Sequence, residues 1–199
     1  MNTSKDSATS VDRRESKAHA ALIAAYRDGL GLAAIAIIRD ATGVRIATFG
    51  NASDCTPSAG EQIETRWWCR RSADAARVAA AATARLRRDE SKDIAAVPVG
   101  ASCSAQRAGA AIAAAAKQCG VTLYSEAETA AAAMAMIARV DEEIEQLQRT
   151  GELKSVNRSY RSYRTETTAR GEIALPYAQW FNQYKANLVR QLAAALRFS

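Results

Sequence analysis

"LAAIAIIRDATGVRIATFG", residues 32–50, decides the fold. From Leu32 to Ile38 the run is apolar and partly β-branched, a strand composition. "RDATG" is turn-like, and "VRIATF" alternates, with Val44, Ile46 and Thr48 on one side. Together these predict a β-hairpin turning at Asp40 to Gly43. A second reading competes: "GLGLAAI" followed by "ATGV" is like a helix-turn-helix, with a glycine at the sharp bend. The interval from Gly29 to Gly43 is about one helical turn too long for that motif. Arg39 also stands where a small residue is needed, so the hairpin is preferred.

Downstream, "NASDCTPSAGEQ", 51–62, is a loop, and "IETRWWCR", 63–70, fits a third strand. Neighbours in a strand face opposite ways, so Trp67 and Trp68 cannot enter the same core. One packs under the next helix and the other covers the second face. From Ser72, a good cap, "ADAARVAAAATARLRR" is a helix with a basic end that suits its dipole. "DIAAVPVG", 93–100, reads as a short strand, placed at an edge by Pro98. "SAQRAGAAIAAAAKQCG" is an alanine-rich helix stopping at Gly120, and "VTLY", 121–124, is another candidate strand. Upstream, residues 11–28 are expected to be helical, capped by Ser10 and ended by Gly29 and Gly31. Residues 1–10 read as a disordered tail.

The remainder reads as three helices. "SEAE", 125–128, is a capping box in which Ser125 and Glu128 serve each other's backbone amides. The helix it opens runs to Gly151 with a near-heptad seam: Met134, Ile137, Val140 or Asp141, Ile144 and Leu147. Through "VNRSYRSYRTETTAR", 156–170, and the turn before it, Leu153, Val156, Tyr160, Tyr163 and Thr167 form one stripe. Arg158, Arg161 and Arg164 lie off it. After "RGEIALP", a helix from Pro176 carries Tyr177, Trp180, Phe181, Tyr184, Leu188, Leu192 and Leu196 as its stripe. The last two helices should form an antiparallel hairpin against the long helix before them.

Charge concentrates at this end. The chain carries a net +6. From Arg149 onward the cations are Arg149, Lys154, Arg158, Arg161, Arg164, Arg170, Lys185, Arg190 and Arg197, against Glu152, Glu166 and Glu172. The whole excess lies there, as for a protein with a polyanionic partner. A solvated face is the competing account, with Glu166 and Glu172 as local partners.

Several chemistries are not encoded. There is no Gly-x-x-x-x-Gly-Lys loop, no Gly-x-Gly-x-x-Gly turn and no Gly-x-Ser-x-Gly elbow, so no cofactor or catalytic residue is expected. His19 is the single histidine and has no nearby nucleophile. Cys55, Cys69, Cys103 and Cys119 form no Cys-x-x-Cys pair, so they read as reduced and structural, with no metal site. "DEEIE", 141–145, reads as an exposed acidic face. No apolar run spans a bilayer and no secretory signal is evident, which points to a cytoplasmic protein without a membrane partner.

The order hairpin, loop, third strand ending in aromatics, then "RRSADAARVAAAATARLRR" resembles the front of a GIY-YIG nuclease-like domain over residues 32–88. That resemblance implies a small antiparallel sheet flanked by helices. The family's first signature would fall near Ala34, Ile35 and Ala36, without its tyrosine. The second would fall near Arg45, Ile46 and Ala47, without its tyrosine and glycine. The 51–62 loop supplies no arginine, and the metal-binding glutamate would fall near Ala79. The resemblance therefore implies a scaffold stripped of its catalytic groups. The C-terminal part resembles the Arg/Tyr-rich helical hairpin that ends uncharacterised alphaproteobacterial proteins, and the Ala/Arg-rich composition fits a bacterium with GC-rich coding.

The expectation is thus an α+β chain: a tail over 1–10, an α+β domain over 11–124 with a small, mainly antiparallel sheet and flanking helices, and a basic three-helix region over 125–199. The expected function is non-enzymatic binding of DNA or RNA phosphates through Arg158, Arg161, Arg164, Arg170, Lys185 and Arg190. The alternatives are an adaptor or homo-oligomer assembled through helices 125–199 and, third, a divergent nuclease.

Overall fold

A computed structural model describes residues 5–93, 104–151 and 153–197. In chain order the elements are α1 (Lys5–Leu30), β1 (Ala33–Asp40), β2 (Gly43–Phe49), β3 (Gln62–Cys69), α2 (Ser72–Asp93), α3 (Ala105–Cys119), β4 (Tyr124–Ser125), α4 (Glu126–Arg149), α5 (Lys154–Ala169) and α6 (Tyr177–Ala195). This is an α+β chain. Its sheet is antiparallel in the order β2-β1-β3-β4.

The deciding stretch is a hairpin, and the helix-turn-helix reading falls. Asp40 pairs with Gly43 across a two-residue turn, and Ala34 pairs with Phe49 at the far end. The turn closes because the Asp40 Oδ1 accepts from the Thr42 amide at 2.7 Å, the Thr42 hydroxyl at 2.6 Å and the Gly43 amide at 3.1 Å. These bonds hold the Asp40 carboxyl below the usual carboxylate range, the Thr42 hydroxyl being the largest cause.

Leu30–Ala130 form one compact unit. Here β1 is interior on both sides: Ala33 through Ile38 are all buried. Ile35, Ile37 and Cys69 share one core with Val78 of α2 and Ile112 of α3. Each of these buried isoleucines contributes about 1.5–3 kcal/mol. The alanines of α2 and α3 lie against the sheet with little area of their own. Trp67 joins this core, its ring beneath Gly109 of α3. Trp68 points the other way, is 1% exposed, and donates its Nε1–H to the Glu126 Oε2 at 2.9 Å. The two tryptophans thus divide the faces as strand alternation requires.

Other boundaries differ from the expectation. The Arg71 carbonyl accepts from the Asp74 and Ala75 amides, so Ser72 is the first residue of α2 rather than its cap. Gly120, at φ 64°, ends α3, and the Val121 amide donates back to the Ala116 carbonyl at 2.9 Å. That Schellman closure commits Val121 to the helix end, so the expected strand at 121–124 shrinks to Tyr124–Ser125. The strand expected at 93–100 lies outside the described residues beyond Asp93, as does Cys103.

The second compact unit joins Met1–Gly29 to Ala131–Ser199. The first helix therefore groups with the C-terminal helices rather than with the sheet, and it begins at Lys5 inside the stretch expected to be a tail. Gly29 explains part of that grouping. A Cβ there would stand 2.4 Å from the Arg190 carbonyl oxygen and 2.7 Å from the Ala193 Cβ. Only a glycine lets α1 approach α6 so closely. The Ser125–Glu128 capping box forms as expected, with Glu128 accepting from the Ser125 amide and Ser125 from the Glu128 amide. Along α4 the buried line is Ala133, Met136, Ile137, Val140 and Ile144, whereas Met134 is 43% exposed. The seam is rotated from the expected one because Ala133 and Met136 take inward positions.

Candidate nucleic-acid interface

On α5 the sequence stripe is the buried one. Val156 and Thr167 are buried, and Leu153, Tyr160 and Tyr163 half-buried. The α5–α6 hairpin closes on aromatic rings. Tyr160 meets Tyr177 edge-on at 5.0 Å and Trp180 at 5.2 Å, and Trp180 stacks with Tyr184 at 5.4 Å. Hydroxyls pin the connecting loop: Tyr160 donates to the Leu175 carbonyl, and Tyr163 accepts from the Leu175 amide, both at 3.1 Å. The arrangement fixes the rotation of α5 about its own axis.

That rotation turns Arg158, Arg161 and Arg164 outward, all three exposed. They rise about 4.5 Å per step along the helix. Among the described residues none of their guanidinium groups has a hydrogen bond or ion pair. The pairing with Glu166 and Glu172 that a self-neutralised face requires is not made. Arg161 and Arg164, with Thr165, Thr168 and Ala169, line a shallow depression of about 540 Å³. The hydroxyls of Thr165 and Thr168 donate to the carbonyls of Arg161 and Arg164, one turn back.

The other three expected contacts do not belong to this row. Arg170 caps α5, its Nε donating to the Glu166 carbonyl at 3.4 Å. Arg190, on α6, is exposed and holds the Asn187 Oδ1 at 2.7 Å. Lys185 ion-pairs with Asp141 of α4 and its side chain is only 16% exposed. Its charge is already matched and mostly covered. Sequence reading could not see this, because the partner lies on another helix.

Elsewhere the polar groups interlock. Arg66 bonds the Glu126 Oε1 at 3.1 Å while Trp68 takes the other oxygen. Arg66 and Glu126 border an open groove of about 630 Å³ that is also lined by Glu61 and Glu64. Those acids are committed as well, Glu61 to Arg45 and Glu64 to Arg39. In the 141–145 acidic run, Asp141 faces Lys185 and Glu145 faces Arg149. Among the described residues no cluster of three or more His, Cys, Asp or Glu side chains could hold a metal. His19 lies against the Met134 sulfur. Cys55 and Cys69 are buried and Cys119 half-buried, all as free thiols. Ala34, Ile35 and Ala36 are interior β1 residues, and Ala79 is half-buried on α2. No described helix is long and apolar enough to cross a membrane.

Fold and face together define an α+β chain that carries an arginine-lined helical hairpin. No family model, no curated protein and no solved structure matches the chain.

Proposed function

We propose that the chain is a nucleic-acid-associated protein that grips phosphate backbones through the arginine face of α5 and acts by binding rather than catalysis. One observation carries this reading: three neighbouring exposed arginines without an internal partner among the described residues. Like charges spaced three apart on a helix cost a few tenths of a kcal/mol per pair, a cost that an anion removes. Guanidinium is also the side-chain group whose planar fork matches two phosphate oxygens. Arg170 and Arg190 are each engaged by one neutral partner and add exposed positive charge to the hairpin.

The test is binding to a random-sequence duplex across a salt series. Log affinity should fall linearly with log salt at about −0.9 per phosphate contact, so replacing Arg158, Arg161 and Arg164 with Ala should flatten the slope by about 2.7. Helical circular dichroism should stay unchanged. Absence of binding at low salt returns the row to a solvated face.

A second reading, assembly through helices, has its own support. Leu192 and Leu196 of α6 are 39% and 49% exposed. They line a groove of about 410 Å³ with Met136, Arg139, Glu142 and Glu143 of α4. An exposed apolar floor with mixed charges at its rim suits a docked helix. Light scattering tests the homo-oligomeric form of this reading, which a strict monomer at high concentration removes.

A further inference from the structure

Resting on the phosphate reading of α5, we infer that the ligand of this face is a double-stranded nucleic acid and not a single strand. Proteins that hold single strands without sequence preference pair a basic groove with aromatic rings on which unpaired bases stack. The helical hairpin is rich in such rings, and their placement withholds them. Tyr160 and Tyr163 are half-buried and packed with each other and with Trp180, and only Arg164, one turn after Tyr160, borders their stripe. Tyr177 is the one exposed aromatic among the described residues. Its ring is edge-on to Tyr160 at 5.0 Å and stacked on Phe181 at 5.8 Å, and its hydroxyl donates to the Asn157 Oδ1 at 3.0 Å. Tyr177 therefore reaches the edge of the arginine row by its hydroxyl, while its ring is held by Tyr160 and Phe181.

Several other polar groups of α5 are also engaged. The Asn157 carbonyl is taken by Tyr177, and the hydroxyls of Ser159, Thr165 and Thr168 donate to carbonyls four residues back. The guanidinium groups are left as the charged donors of this face, beside the exposed Ser162 and the Asn157 side-chain amide. They stand on a helix whose rotation is locked by the aromatic core, so the points from which they extend are set before binding. A duplex presents phosphates at set positions and matches such a row at little ordering cost. A single strand would have to be ordered against it, with no stacking in return. Paired DNA and paired RNA share this chemistry.

The experiment is fluorescence anisotropy of the full chain with three labelled probes of equal length: a DNA duplex, an RNA duplex and an unstructured single strand such as oligo-dT. At least one duplex should bind about tenfold or more tightly than the single strand at equal low salt. Whichever duplex binds more tightly identifies the source. A single strand that binds as tightly as both duplexes, and loses binding with the triple Arg→Ala variant, overturns the inference while leaving the phosphate reading intact. If no probe binds, both fall. As a second measurement, Tyr177→Leu should leave single-strand affinity unchanged, and a clear loss would mark that ring as a stacking platform and sink the inference.

Discussion

Replacing Gly29 with alanine sets two opposed effects against each other. Alanine improves helix propensity by up to about 1 kcal/mol over glycine. Against this, the new methyl group would meet the Arg190 carbonyl oxygen at 2.4 Å and the Ala193 Cβ at 2.7 Å. Ordinary carbon contacts lie near 3.5–4.0 Å, so α1 and α6 would have to part by about 1 Å. Neither neighbour is the end of a flexible side chain, so the strain cannot be released by a rotamer change. Overpacking of this kind costs typically 1–3 kcal/mol, occasionally more. Offset by the propensity gain, the helical unit should show a net loss of up to about 2 kcal/mol. Gly109 is the matched control, since a Cβ there would meet Trp67 at 3.6 Å and Ile37 at 3.8 Å, in ordinary contact. In mid-α3, Gly109→Ala should stabilise by about 0.5–1 kcal/mol. Urea unfolding followed by far-UV circular dichroism separates the two signs. A Gly29→Ala protein as stable as the parent would refute the close-approach argument.

Trp68→Phe removes the buried indole N–H that the partly exposed Glu126 carboxylate accepts. A hydrogen bond to a charged group is worth about 1.5–3 kcal/mol, so the urea midpoint of the sheet unit should drop accordingly. Lys185→Ala should leave nucleic-acid affinity and its salt slope unchanged, because the Lys185 charge is held by Asp141. Loss of a full phosphate contact in that variant would restore Lys185 to the interface. The carboxyls of Asp40, Glu61 and Glu128 all ionise more readily than usual, held first by the Thr42 hydroxyl, the Arg45 guanidinium and the Ser125 amide respectively. A lowered folded-state pKa means stability that is present above the normal carboxylate range, near about pH 4, and lost as pH falls through the folded values. Urea midpoints measured downward through that range should decline, and a Glu128→Gln variant should decline less steeply.

The features legible in the sequence were those that local chemistry dictates. Alternation in "VRIATF" and the Asp40–Gly43 turn determine the hairpin, and the Trp67–Trp68 pair splits across the sheet because successive residues must. The α5 stripe is buried where its three-and-four spacing puts it, so the outward turn of Arg158, Arg161 and Arg164 was readable too. What was not legible depends on partners distant in the chain. Lys185 looks like any surface lysine until Asp141 is placed beside it. Gly29 reads as a helix terminator, whereas its missing side chain is what α6 needs. The α4 seam was misplaced because alanine carries little hydrophobic signal, yet Ala133 is fully buried.

The close passage of α1 and α6 also imposes a schedule on synthesis. Gly29 leaves the ribosome long before its partners Arg190 and Ala193, which follow after about 160 residues, or roughly 10–30 s at ordinary elongation rates. During that interval the sheet unit between them can complete itself, since all of Leu30–Ala130 is already made. The contact that Gly29 permits can form only after that interval, so the helical unit is the last part of the chain to close.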